Sequence, residues 1–187
     1  MLKFDDYLRQ VGCEGELSAV LKSIVDSIKE ISKSIKISDT GYAGSLNVFG
    51  EEQLTLDIFS NKIIENHLKN NPLVGIIASE ELPDEMSFGS GAYGVCFDPL
   101  DGSSLVDVNL AVGSIFGIYK AKSFIGIKGD DMLAAVVAVY GPRTTFVITV
   151  RKGVQEFVLS GEGDFVLSKE DIKVSEGKMF APGNLRA

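Results

Sequence analysis

The sequence predicts a layered α/β or α+β domain with helices packed against an antiparallel sheet, and three observations predict it. Leu17, Val20, Leu21, Ile24, Val25, Ile28, Ile31 and Ile35 recur at helical i, i+3, i+4 spacing. Two short apolar runs, residues 74–78 and 93–97, read as buried strands, and each ends directly in acidic residues. Four β-like segments follow, residues 114–121, 132–140, 145–150 and 154–159, separated by turn signals such as Gly129-Asp130 and Gly141-Pro142. Helices first and strands afterwards make a layered arrangement the economical way to cover every apolar face.

In chain order, the first helix has Ser23, Asp26, Lys29, Glu30 and Lys33 on its polar side, so it buries one stripe. Residues 38–50 are rich in Gly, Ser, Asp and Thr and read as a loop. A second helix is expected over residues 56–68, with Ile58, Phe59, Ile63, Ile64 and Leu68 apolar, and Asn71-Pro72 stops it. His67, the single histidine, lies near its end and has no nucleophile pattern beside it, so it reads as a helix-terminal surface residue. Residues 82–94 are polar and glycine-rich, a loop or hairpin between the two apolar runs.

The bulk composition narrows the function classes. The chain has 187 residues, is 45% hydrophobic and 24% charged, and has a net charge of −8. That balance speaks against nucleic-acid binding, which relies on a basic face. The longest apolar run, residues 132–140, is far too short to span a bilayer, so no membrane role is expected. Cys13 and Cys96 are distant in sequence, form no metal or redox motif, and fit a reducing compartment. No signal core or transit pattern opens the sequence, so a cytoplasmic protein is expected, or a plastid one whose transit peptide has been removed. Between residues 51 and 107 lie eleven acidic residues against two lysines, Lys62 and Lys69. Such a segment is either a solvated face or a site neutralised by cations.

The positions of those carboxylates favour cations. One apolar run ends in Ser79-Glu80-Glu81 and the other in Asp98-Pro99-Leu100-Asp101-Gly102-Ser103-Ser104. Strand ends are where ligand sites collect in α/β folds. Several carboxylates crowded into a cleft repel one another, and a hard divalent ion such as Mg²⁺ removes that cost through oxygen ligands. Pro99 has no N–H, so the strand ladder is expected to break there. The bend can then aim Asp98 and Asp101 into one site, with the Leu100 carbonyl between them. Gly102, Ser103 and Ser104 add backbone N–H groups and hydroxyls suited to a phosphate. Metal ligands and phosphate donors in one short stretch are what phosphoryl transfer needs.

Asp98-Pro-Leu-Asp-Gly-Ser-Ser104 resembles the signature of the fructose-1,6-bisphosphatase and sedoheptulose-1,7-bisphosphatase family and, more loosely, of inositol monophosphatase-like enzymes. Asn47-Val-Phe-Gly-Glu-Glu-Gln53 with Leu56-Asp57, the pair Glu80-Glu81, and Gly113-Ser-Ile-Phe-Gly-Ile-Tyr119 resemble three further family motifs in the same order. The resemblance implies an α-β-α-β-α sugar-phosphatase fold. Residues 1–187 would form its N-terminal metal- and 1-phosphate-binding half, with a mixed, mostly antiparallel sheet and no sugar-binding C-terminal half. It implies Glu80, Asp98, Asp101 and the Leu100 carbonyl as metal ligands, and Glu51 as a ligand from a mobile loop. Asp57 and Glu81, with Glu51, would serve catalysis by holding and deprotonating the attacking water. Asp101, Gly102, Ser103 and Ser104 would bind the 1-phosphate. It further implies two or three Mg²⁺ ions, with Mn²⁺ as a substitute, a sugar-bisphosphate substrate and a homodimer or homotetramer.

Two details bear on which branch of the family this is. Residues 103–107 read Ser-Ser-Leu-Val-Asp where fructose-specific members read Ser-Ser-Asn-Ile-Asp, and Phe180-Ala-Pro-Gly-Asn-Leu-Arg186 resembles the sedoheptulose branch. Ala92 stands where AMP-inhibited members have a lysine, so AMP control is not expected. Fructose and sedoheptulose substrates both remain open on these residues, as does a folded half without turnover of its own.

Overall fold

A computed structural model describes residues 1–36, 55–174 and 176–177, and the backbone of residues 42–46 and 52–54. Helix α1 (Phe4–Gln10) and the long helix α2 (Glu16–Ser34) open the chain. A two-stranded antiparallel ribbon follows, β1 (Tyr42–Leu46) with β2 (Glu52–Leu54), and leads into α3 (Thr55–Lys69). The remaining strands are β3 (Val74–Ser79), β4 (Met86–Ser87), β5 (Tyr93–Asp101), β6 (Val112–Tyr119), β7 (Ala134–Tyr140), β8 (Thr144–Thr149), β9 (Gln155–Leu159) and β10 (Phe165–Lys169). They form one sheet in the order β10-β9-β8-β7-β6-β5-β3-β4. All neighbours in it are antiparallel except β3 and β5, which run parallel.

The helical stripe read from the sequence is the buried face of α2, where Val20, Leu21, Ile24, Ile28 and Ile31 are fully covered. Burying one such side chain contributes about 1.5–3 kcal/mol, so this stripe alone anchors the helix. At the far end, Phe4 of α1 meets Phe146 and Phe157 edge-on, with ring centroids 5.2 and 5.3 Å apart. Phe165 closes the same cluster against Phe146 at 4.6 Å. Strands β7 and β8 alternate along their whole length, as in β7, whose Ala134, Val136, Ala138 and Tyr140 are buried while Val137 and Val139 are exposed. Helices therefore cover one face of the sheet, and Ile115, Val137 and Val139 stand exposed on the other.

Both helices and the six strands read from sequence form close to their expected bounds. Helix α1, β4 and β10 were not anticipated, being too short or too weakly patterned to register. The expected loop at 38–50 contains β1, because a partner strand at 52–54 supplies the hydrogen bonds its polar sequence does not advertise. Residues 37–41 and 47–51, including Glu51 of the expected metal loop, lie outside the described residues, as does Phe180–Arg186. Among the described residues no helix is long and apolar enough to cross a membrane.

Candidate active site

The parallel pairing of β3 with β5 creates the site. Ser79 lies opposite Phe97, so the next residues, Glu80 and Asp98, emerge side by side at neighbouring strand tips. The Glu80 N–H continues the ladder by donating to the Phe97 carbonyl at 3.2 Å. The Glu80 carboxyl then lies near enough to Asp98 to help hold the Asp98 carboxyl in its protonated form. Burial first, then Glu80, and to a smaller extent Asp101, push the Asp98 carboxyl up to about 8, against a single opposing contact from the Leu100 N–H. Strand pairing has set Glu80 beside Asp98, with Asp101 near enough to act on the Asp98 carboxyl as well.

The break expected at Pro99 is a β-bulge. Asp98 pairs with Ile115 and Asp101 with Gly113, so three steps along β5 match two along β6. The Asp98 Oδ1 accepts from the Leu100 N–H at 3.0 Å, folding the carboxylate back over the bulge. The extra carbonyl, Pro99 C=O, is taken by the buried Ser114 hydroxyl at 2.7 Å. Gly113 has to be glycine, since a Cβ there would stand 2.7 Å from the Ala138 carbonyl oxygen. Asp101 is exposed beyond the bulge, and Gly102 follows at φ 75° and ψ 26°, a left-handed turn that favours glycine. A single 3₁₀ turn, Ser103–Leu105, begins there.

Helix α3 supplies the rest. Asp57 sits in its first turn, where the helix dipole favours a negative charge, and is 5% exposed. The Ser103 hydroxyl donates to Asp57 Oδ2 at 3.1 Å, so the expected phosphate loop and the expected water-holding carboxylate are in contact. One turn on, buried Asn61 accepts from the Ser79 hydroxyl at 2.6 Å. Ser79 Oγ in turn accepts from the Glu81 N–H at 3.2 Å, and Asn61 Nδ2 donates to Glu65 at 2.7 Å. Asn61 and Ser79 thus fasten the Glu80-Glu81 turn to the helix that carries Asp57.

The structure therefore brings Glu80, Asp98 and Asp101 together and joins Asp57 to Ser103. Ser104 is exposed beside Ser103, while the Leu100 side chain is buried beneath the bulge. Sequence reasoning missed Asn61, Ser114 and Tyr140. Only the spacing of Asn61 one turn after Asp57 on the buried face of α3, and the polar type of Ser114 inside an apolar strand, could have signalled them. His67 pairs with Glu30 at 2.8 Å between α3 and α2, away from the acidic cluster.

Among the described residues no three acidic, cysteine or histidine side chains close into a finished metal cage. Glu80, Asp98 and Asp101 nevertheless offer only oxygen donors, the chemistry Mg²⁺ takes.

Residues 4–170 match the family model described as fructose-1,6-bisphosphatase, N-terminal domain. The chain is 41% identical to a class 1 fructose-1,6-bisphosphatase of Geobacter metallireducens, over 96% of its own length and 58% of the relative's. It is 36% identical to the chloroplastic sedoheptulose-1,7-bisphosphatase of Spinacia oleracea, over 98% of itself and 49% of that protein. The crystal structure of Leishmania major fructose-1,6-bisphosphatase in holo form superposes with a TM-score of 0.84 at 31% identity, covering 91% of this chain and 59% of that one. The chain thus spans between about half and three fifths of the length of these proteins.

Proposed function

We propose, from the premise that this chain belongs to the fructose-1,6-bisphosphatase family through its N-terminal domain, that it serves Mg²⁺-dependent hydrolysis of the 1-phosphate of a ketose bisphosphate. Fructose 1,6-bisphosphate and sedoheptulose 1,7-bisphosphate are the candidate substrates, in carbohydrate metabolism. The observation that carries this reading is the placement of Glu80 and Asp98 at adjacent tips of the parallel strands β3 and β5, with Ser103 held on Asp57.

Glu80, Asp98 and Asp101, with the Leu100 carbonyl, would hold the metal ions, and Glu51 would join them from its loop. Two or three Mg²⁺ ions held by those residues would supply charge neutralisation for phosphoryl transfer. Gly102, Ser103 and Ser104 donate hydrogen bonds to the 1-phosphate and set its approach. Asp57 and Glu81 orient the attacking water and accept its proton. Asp57 meets the phosphate loop directly, so water and phosphate are positioned by one contact. We place the protein in the cytoplasm or a plastid, as a homodimer or homotetramer.

A second reading has its own support. Ile115, Val137 and Val139 stand exposed on the sheet face opposite the helices, and the chain matches 58% of the length of its bacterial relative. On that reading these residues fold and bind metal, and turnover requires further polypeptide to complete the sugar site. Phosphate release from both bisphosphates, with Mg²⁺ and with chelator, separates the two. Turnover abolished by Asp98→Ala and Glu81→Gln supports the enzyme, and turnover of neither substrate supports the second reading. Mg²⁺-dependent hydrolysis that survives both substitutions overturns the site assignment.

A further inference from the structure

The β5 bulge is held from the core side by a short hydrogen-bonded relay. Ser114, fully buried on β6, gives its single hydroxyl hydrogen to the Pro99 carbonyl at 2.7 Å. Its oxygen lies 2.9 Å from the hydroxyl of Tyr140, buried on β7. With the Ser114 hydrogen already committed, Tyr140 must be the donor in that contact. Burial keeps the Tyr140 phenol in its neutral, donating form. Two hydroxyls inside an apolar core cost free energy unless they are satisfied, and here both are.

The carbonyl they grip belongs to a peptide group with a second job. Pro99 C=O and Leu100 N–H are the two ends of one planar unit, and no peptide bond among the described residues is cis. In a trans peptide the two bonds point in opposite directions. Turning the carbonyl toward Ser114 therefore turns the N–H away from the core, where it meets Asp98 Oδ1 at 3.0 Å. A hydroxyl on the helix side of the sheet sets the orientation of a carboxylate on the other side through one rigid plane.

We infer that Tyr140 and Ser114 are positioning residues for the metal site, acting on the Asp98 carboxylate through the Pro99–Leu100 peptide. The inference rests on the metal-site reading above, for which Asp98 is a ligand. Outer partners of metal ligands commonly govern about ten- to hundredfold in affinity.

The test uses the whole chain, Mn²⁺ as the probe and two NMR readouts: paramagnetic broadening of site amides during a Mn²⁺ titration, and hydrogen exchange of the Leu100 amide without metal. Ser114→Ala is expected to weaken Mn²⁺ binding about tenfold and speed Leu100 exchange. Tyr140→Phe, which keeps the Ser114–Pro99 bond, is expected to cost about threefold. The core control Ile148→Val lowers the melting temperature and leaves both readouts alone. Unchanged Leu100 exchange in Ser114→Ala overturns the inference, as does equal weakening in the Ile148→Val control. Should Ser114→Ala fail to fold, Tyr140→Phe decides on the same two readouts. If the unaltered chain shows no Mn²⁺ broadening, the metal-site reading fails, while Leu100 exchange still reports whether the relay holds Asp98.

Discussion

The two acidic strand tips do the same task by different means. At the end of β3 the Glu80-Glu81 turn is fastened by side chains, with Ser79 held by Asn61 of α3. At the end of β5 the Asp98 carboxylate is fastened by backbone, through a bulge whose spare carbonyl is gripped by Ser114. The first depends on how a helix packs on a sheet, the second on a defect within the sheet. In both, the side chains that do the fastening, Asn61 and Ser79 at one tip and Ser114 at the other, are neutral and buried.

The largest break in this comparison removes an acidic group outright. Asp98→Ala is expected to abolish Mn²⁺ broadening at the site while leaving the fold intact, since the half-buried side chain is a carboxyl whose ionisation burial and Glu80 already oppose. Retained Mn²⁺ affinity would remove Asp98 from the ligand set.

Asn61→Ala attacks the other tip. It strands the Ser79 hydroxyl and costs about 1–3 kcal/mol in a denaturant melt, the penalty of an unsatisfied buried group. It should slow any turnover by displacing Glu81 and leave Leu100 exchange unchanged. If Leu100 exchange responds, the tips are not independent.

A pH series sharpens the contrast, because Asp98 is the group whose ionisation the fold resists. Its carboxyl titrates higher in the folded chain than the ordinary value of about 4. The neutral form is therefore favoured by folding, and its stabilising contribution is complete below about pH 4 and fades as pH rises toward about 8. In chelator, this group makes the melting temperature decline between about pH 4 and about pH 8. On the proposed metal site, Mg²⁺ competes with the Asp98 proton, so it should raise the melting temperature more at pH 8.5 than at pH 6.5. An equal Mg²⁺ effect at both values would show that proton and metal do not share the site.

The smallest expected effect belongs to the phosphate loop. Ser103→Ala removes one neutral donor and its contact with Asp57, worth about 1 kcal/mol. In a preparation with turnover this appears as a several-fold rise in KM. Ser104→Ala, which leaves the Ser103–Asp57 contact in place, is the matched comparison.

What was legible in the sequence was local. The α2 stripe, the apolar strands and the Asp98–Ser104 motif each announce themselves within a few residues, because helix and strand periodicity and the missing N–H of Pro99 are properties of adjacent positions. Helix α1 and β10 escaped notice because each is short and is stabilised by the other's neighbourhood, through the Lys3–Val166 bridge and the Phe4 cluster. Asn61, Ser114 and Tyr140 escaped because their hydrogen-bond partners lie 18, 15 and 26 positions away.

By itself the sequence determined which residues could ligate a metal or cradle a phosphate, since those are matters of side-chain chemistry and short-range spacing. Only the tertiary structure decided that Glu80 and Asp98 face each other. That rests on one parallel strand pairing in an otherwise antiparallel sheet, and on a bulge whose unpaired carbonyl had to find a hydroxyl in the core. Strand register is set by long-range packing, and a slip of a single residue would turn one of the two carboxylates to the opposite face.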